Sequence, residues 1–260
     1  MNYTHGERFR ATSDQTEAIC HDSAPLMILA GAGTGKTTTL LYRFIYLIEN
    51  LGIKPEHILA ITYTERAAQE LTDRLVKKIG EQVRDATITT FHSFCYSLIK
   101  DYGSSENKLQ LIEESESVYL ILNSFDSLRP YHSEEFPLNP HKAVGKAIPF
   151  INRCRDEMLA PVDLNINILN DSLLSSEEKN QLKDIQNIYE FYQDIKRKLG
   201  LVDYGDMIFQ AWSLLKNDSS VLAQIQNKIK HIVIDEFQDN NYALNQIIGL
   251  IGDKSKSITV

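Results

Sequence analysis

The sequence predicts an α/β protein: a parallel sheet flanked by helices, with an inserted, mainly helical subdomain. Three observations lead there. Short apolar runs alternate with helical periodicities from Leu26 to Tyr102, the rhythm of strands joined by crossover helices. Buried-strand patterns then vanish from Ser104 to about Leu199, where five of the seven prolines fall. The strand pattern returns at Ile229 to Ile234 (IKHIVI) and at Ser257 to Val260 (SITV).

Each element follows from its residues. Leu26 to Ala30 (LMILA) is an apolar run meeting a Gly-rich turn, the form of a buried strand. Thr37 to Leu51 places Leu40, Leu41, Phe44, Ile45, Leu47 and Ile48 at helical spacing. His57 to Tyr63 reads as a second strand, followed by a helix from Glu65 to Ile79. Ala86 to Thr90 reads as a third, followed by a helix from Ser93 to Tyr102. Helical patterns recur at Glu113 to Phe125, His141 to Met158 and Ser176 to Leu199. No internal repeat or low-complexity tract interrupts them.

At 260 residues the chain has room for one or two compact units, at roughly 150 residues each. Hydrophobic residues make up 43% and charged residues 24%, which excludes wholesale disorder. No apolar run approaches the ~18 residues of a membrane span, so no membrane partner is expected. The formal net charge of -8 argues against holding nucleic acid by bulk electrostatics, but leaves room for a local groove. Cys20, Cys95 and Cys154 are odd in number and far apart, and the histidines lack metal spacing; neither disulfides nor a structural metal is expected. A cytoplasmic protein is the expectation.

Ala30 to Thr37 reads A-G-A-G-T-G-K-T, close to G-x-x-x-x-G-K-[ST], with alanine at the first glycine position. Phosphate chemistry explains the residue types. The backbone from Gly31 through Ala32, Gly33, Thr34 and Gly35 turns N–H groups toward oxyanions, and the following helix adds its positive end. Lys36 supplies a point charge for the β- and γ-phosphates, and the Thr37 hydroxyl can join a Mg²⁺ shell. Ile232 to Asp239 reads I-V-I-D-E-F-Q-D, an apolar strand ending in carboxylates. Alone it can be a solvated strand end. Paired with the Gly-rich loop about 200 residues earlier, it completes a nucleotide hydrolase site. Asp235 then serves the metal, and Glu236 orients and deprotonates the attacking water.

These motifs resemble those of the UvrD/Rep-type superfamily 1 DNA helicases. Further motifs agree in the family's order. Ser13-Asp14-Gln15 resembles the segment whose glutamine reads adenine. Ala60 to Leu75 (AITYTERAAQELTDRL) resembles the second strand and its helix. Thr90-Phe91-His92-Ser93 matches T-F-H-S, and Leu201 to Ile208 (LVDYGDMI) resembles L-D-F-D-D-L. There are departures: Thr38 stands where arginine is frequent, Glu65-Arg66 replaces Asn-Lys, and no G-D-x-x-Q motif follows.

The resemblance implies a first RecA-like, P-loop domain in two parts, 1–103 and 200–260, around a helical subdomain, 104–199. It implies an N-terminal fragment of an ATP-dependent 3′-5′ DNA helicase and single-stranded DNA translocase acting in DNA repair or replication. The fragment is expected to be inactive without its C-terminal RecA-like domain. ATP and Mg²⁺ are the implied cofactors. Glu236 and Gln238 are the implied catalytic residues, Gln238 sensing the γ-phosphate. Gln15, Gly31, Ala32, Gly33, Thr34, Gly35, Lys36, Thr37 and Thr38 bind ATP, and Thr37 and Asp235 bind the metal. Thr62, Tyr63, Thr64 and His92 are implied single-stranded DNA contacts; Tyr204 is a contact or a packing residue. Phe91, Tyr189 and Tyr192 read as packing. Two other readings stand beside this one: the helicase part of a helicase–nuclease, and a nucleotide-dependent DNA-binding module without motor activity.

Overall fold

The computed structural model describes residues 10–21, 25–31, 33–103, 110–164, 174–253 and 257–260. The chain divides into two compact units. One comprises residues 1–94, 214–240 and 245–260, the other 95–213 and 241–244.

The first unit is built on a parallel sheet. Its strands are β1 (Ile58–Thr62), β2 (Thr87–Thr90), β5 (His231–Ile234) and β6 (Ser257–Thr259), in spatial order β2-β1-β5-β6. Every residue of β1 and β5 is buried, as expected of apolar strands covered on both faces. Helix α1 (Ser13–Cys20) starts at a capping box formed by Thr12 and Gln15. Helix α2 (Lys36–Glu49) sends Leu41, Phe44, Ile45 and Leu47 into the core beside Ile58, Ala60 and Leu75. Helix α3 (Glu65–Ile79) is capped by the Thr64 hydroxyl, which accepts from the Ala67 N–H at 3.1 Å. Helix α4 (Phe91–Tyr102) follows β2 directly.

Leu26 to Ala30 differs from its expectation. It meets β6 through one bridge, Leu26 to Thr259, with Leu26 N–H donating to the Ile258 carbonyl at 2.7 Å and Ile28 N–H to that of Val260 at 2.8 Å. Leu29 is 87% exposed and Met27 61%, so the segment is not a buried strand. It has a strand neighbour on one side only among the described residues, and at the sheet's edge an apolar run does not guarantee cover.

The second unit is helical: α5 (Glu114–Asn123), α6 (Glu135–Leu138), α7 (Pro140–Asp156), α8 (Ser176–Leu199) and most of α9 (Tyr204–Asn217). A two-residue strand β3 (Gln110–Leu111) pairs in parallel with β4 (Leu201–Val202), which the sequence did not foretell. It stands apart from the four-stranded sheet. The acidic run at Glu113 is exposed, but it also caps: Glu113 and Glu116 form a capping box on α5. Pro140 opens α7 at its first turn, where a missing N–H costs nothing. Ser175 and Glu178 box the start of α8, and Gly200, at φ 66°, ends it in the left-handed conformation. Tyr189 and Tyr192 pack with Ile148, Ile151 and Ile188. Two further α-helices are α10 (Ser219–Lys228) and α11 (Tyr242–Gly252).

A buried charge cluster lies within this unit. Arg155 pairs with Asp203 at 2.7 Å and Asp206 at 3.1 Å, and Lys196 pairs with the same carboxylates at 2.8 and 2.5 Å. Tyr192 donates to Asp203 at 2.6 Å. Gly205 makes room: a Cβ there would meet Arg155 Cδ at 2.7 Å. Two cations against two anions leave the group neutral, which lets it stay out of water. Burial works against the Asp203 anion, yet Arg155 and Lys196 together hold its carboxyl well below the ordinary range.

Candidate functional site

Register brings the candidate residues to the carboxyl edge of the first unit's sheet. Ile61 pairs with Ile234, and the Asp235 N–H donates to the Ile61 carbonyl at 2.9 Å. The Gly-rich turn arrives at the same edge through the Leu26–Ile28 pairing with β6. This is the edge where open α/β sheets bind ligands.

The turn needs its glycines. Gly33 and Gly35 have φ of 76° and 91°, values that strain residues with a Cβ. A Cβ on Gly35 would also meet Gln15 Nε2 at 3.2 Å. Thr34 closes the loop, its hydroxyl donating to the Gly31 carbonyl at 2.7 Å. Ala32 lies outside the described residues.

Lys36 Nζ is 3.5 Å from Glu236 Oε2, and Thr37 Oγ1 is 3.4 Å from Asp235 Oδ2. The loop lysine and the strand-end glutamate therefore meet across 200 residues of sequence. Gln238 Nε2 donates to the same Glu236 oxygen at 2.5 Å. Glu236 sits in the left-handed region, φ 56° and ψ 45°. A cavity of about 170 Å³ opens here, lined by Lys36, Asp235, Glu236 and Gln238 with Met27 and Leu29.

The two carboxyls are tuned in opposite directions. Burial, then the neighbouring Glu236 charge, raises Asp235 above the ordinary range. The Gln238 hydrogen bond, then Lys36, lowers Glu236. A carboxyl beside a hydroxyl, both hard oxygen donors, suits Mg²⁺, whose charge would offset the burial and the Glu236 repulsion that raise Asp235. Both ends of the Gln15 amide are engaged: its Oε1 accepts from Thr12 N–H at 2.9 Å and its Nε2 donates to the Thr34 carbonyl at 3.1 Å. Thr38 is reached by Arg74 Nη2 at 3.5 Å from α3, a contact with no signal in the sequence.

The strand-contact candidates fall differently. Tyr63 is 72% exposed at the end of β1. Thr62 is buried, its hydroxyl donating to the Thr64 carbonyl at 3.0 Å, and Thr64 caps α3. His92 is half-buried on α4, while Phe91 is buried in packing. Tyr204, 46% exposed, belongs to the second unit. Sequence reading missed Glu65: its Oε1 accepts from the hydroxyls of Thr90 at 2.9 Å and Ser93 at 2.5 Å. The signal was there, an acid where the resembled pattern has asparagine.

A parallel sheet whose carboxyl edge joins a Gly-rich loop to strand-end acids defines a P-loop, RecA-like α/β fold. Comparison with known proteins narrows the class. The model of the UvrD/REP helicase N-terminal domain matches residues 11–260, and the chain belongs to that family. The ATP-dependent DNA helicase PcrA of Staphylococcus aureus (strain COL) is 28% identical over 251 residues, 95% of this chain and 32% of the relative. That of Staphylococcus epidermidis is 28% identical over 253 residues, with the same coverage. The chain thus spans about a third of the length of the curated relatives it matches. Among the described residues, no helix is long and apolar enough to cross a membrane, and no group of three His, Cys, Asp or Glu is placed to hold a metal ion.

Proposed function

We propose that this chain is the ATP-binding part of an ATP-dependent 3′-5′ DNA helicase and single-stranded DNA translocase, working in the cytoplasm in DNA repair or replication. The observation that carries the reading is the meeting of Lys36 with Glu236 beside Thr37 and Asp235. In this reading the helical stretch 104–199 is inserted between the two parts, 1–103 and 200–260, of one RecA-like domain.

The chemistry follows from the pairs. Arriving phosphates compete for Lys36, whose charge they need more than Glu236 does. Losing that ion pair, Glu236 becomes a stronger base, so its proton affinity rises when there is a γ-phosphoryl group to attack. Gln238, already on Glu236, holds the carboxylate in place and reports on the γ-phosphate. Thr37 and Asp235 would hold Mg²⁺, which neutralises phosphate charge when bound. Gln15 exchanges its Thr12 and Thr34 bonds for the adenine edge, an exchange of like for like. Gly31, Ala32, Gly33, Thr34 and Gly35 wrap the phosphates, and Thr38 lies beside them with Arg74. DNA stacks on Tyr63, with Thr62, Thr64 and His92 as further contacts in the first unit; Tyr204, in the second unit, is a contact or a packing residue.

By itself the chain would bind nucleotide weakly and turn it over slowly. Arginines that neutralise a transferring phosphoryl group are worth ~10³–10⁵ in rate. In the resembled family they come from a second RecA-like domain. Steady-state ATP turnover with and without single-stranded DNA tests the reading on the intact protein. Lys36→Ala should abolish nucleotide-dependent activity by removing the charge that holds the phosphates. Glu236→Gln should keep binding and lose ~10²–10⁴-fold in turnover, the usual contribution of a positioned base. Turnover by Glu236→Gln at the wild-type rate would remove the assignment.

A further inference from the structure

Strands β1 and β2 run in register, Thr62 beside Thr90, so the turns that follow them are neighbours. From one turn α3 begins with Glu65; from the other α4 begins with Phe91, and Ser93 follows in its first turn. A single oxygen, Glu65 Oε1, accepts from Thr90 Oγ1 at 2.9 Å and Ser93 Oγ at 2.5 Å. Ser93 N–H in turn donates to Thr90 Oγ1 at 3.3 Å. Glu65 is exposed, and among the described residues it makes no ion pair. At the start of α3, its charge is met by these two hydroxyls.

Two hydroxyl donors on one anionic oxygen is the arrangement by which side chains hold a nucleic-acid phosphate. We propose that Glu65 is an internal competitor for that phosphate: it occupies the Thr90 and Ser93 hydroxyls, and a captured single strand must displace it. The proposal rests on the reading that this edge contacts DNA. Exposed Tyr63, two residues before Glu65, offers the adjacent base a stacking face. A strand drawn to Tyr63 thus meets a negative charge where the hydroxyls would otherwise welcome its backbone. Glu65 in this role sets how tightly, and against how much salt, the strand is held.

The test is fluorescence anisotropy of a labelled oligothymidylate with the intact protein, across a KCl series. Glu65→Gln keeps an acceptor for both hydroxyls and removes the charge. It should tighten binding about fivefold, the repulsion between unit charges some 4 Å apart in water. The slope of log K against log salt should steepen, because salt screens a repulsion that only the wild type carries. Glu65→Asn should do the same, and adding Ser93→Ala to Glu65→Gln should remove part of the gain, which a mere loosening of α4 would not predict. Unchanged or weaker binding by both single variants, with wild type binding, overturns the proposal. If neither wild type nor any variant binds the oligomer, the DNA reading falls and the proposal falls with it.

Discussion

Asp203→Asn is the sharpest probe of the helical unit. Asp203 is 8% exposed and accepts from both nitrogen-bearing partners, Arg155 at 2.7 and 2.8 Å and Lys196 at 2.8 Å, as well as from Tyr192 at 2.6 Å. The change leaves two buried cations sharing Asp206, and turns an amide N–H toward the Arg155 and Lys196 nitrogens, which can only donate. Removing one partner of a buried pair costs about 3–5 kcal/mol. Domains have only about 5–15 kcal/mol in all, so about a fifth or more of the stability should go. Urea unfolding at neutral pH, followed by the fluorescence of Trp212, the only tryptophan, measures it in the right unit. The pH dependence has a definite sign. The native carboxyl titrates below the unfolded value of about 3.9, so its stabilisation is complete above that value and is lost as pH falls through the native one. The gap between wild type and variant should therefore hold from neutral pH to about 5 and close below about 4. Adding Lys196→Met restores charge balance and should recover part of the loss. A penalty under about 1 kcal/mol at neutral pH would refute the argument, since that is what an exposed pair is worth.

Two further outcomes are expected besides those of Lys36→Ala and Glu236→Gln. Asp235 has a raised carboxyl, so its folded-state advantage is full below about 3.9 and is lost as pH rises through the native value. Asp235→Asn should accordingly raise the metal-free melting temperature at neutral pH while removing the stabilisation by Mg²⁺-nucleotide, both read by a thermal-shift series. Tyr63→Ala should weaken single-strand binding by ~1–3 kcal/mol, leaving DNA-free nucleotide binding unchanged, as titrations with each ligand will show.

Much of this architecture is legible in the residues, for identifiable reasons. Helix α3 runs Glu65–Ile79 and α8 runs Ser176–Leu199, as their spacing predicts, because Thr64 and Ser175 cap them and Gly80 and Gly200 stop them. Strands β1 and β5 are short apolar runs buried on both faces, the easiest kind to read. The Leu26 segment has the same composition, but composition does not say which strand stands at an edge. A two-residue pairing such as β3 with β4 carries no periodicity at all. The Gly-rich loop and the Asp235–Glu236 pair are visible because their chemistry restricts the residue types. The partners of Glu65 are not visible, because hydroxyls from two successive turns meet only through the strand register. Asp203 and Asp206 show in the sequence as two acids in an apolar stretch, with Lys196 close before them; that Arg155, 48 residues before Asp203, completes the group depends on how the helices pack.

The left-handed turn at Glu236 bears on how this protein would respond to engineering. A residue with a Cβ pays about 1–2 kcal/mol for that conformation, and glycine would be free of it. Screening for heat resistance alone should therefore favour Glu236→Gly, one of the cheapest gains available in the first unit. The same change removes the carboxylate that Lys36 and Gln238 hold. Selection by melting temperature and selection by turnover would pull this position in opposite directions, so a hardened variant should be assayed for ATP consumption before anything else.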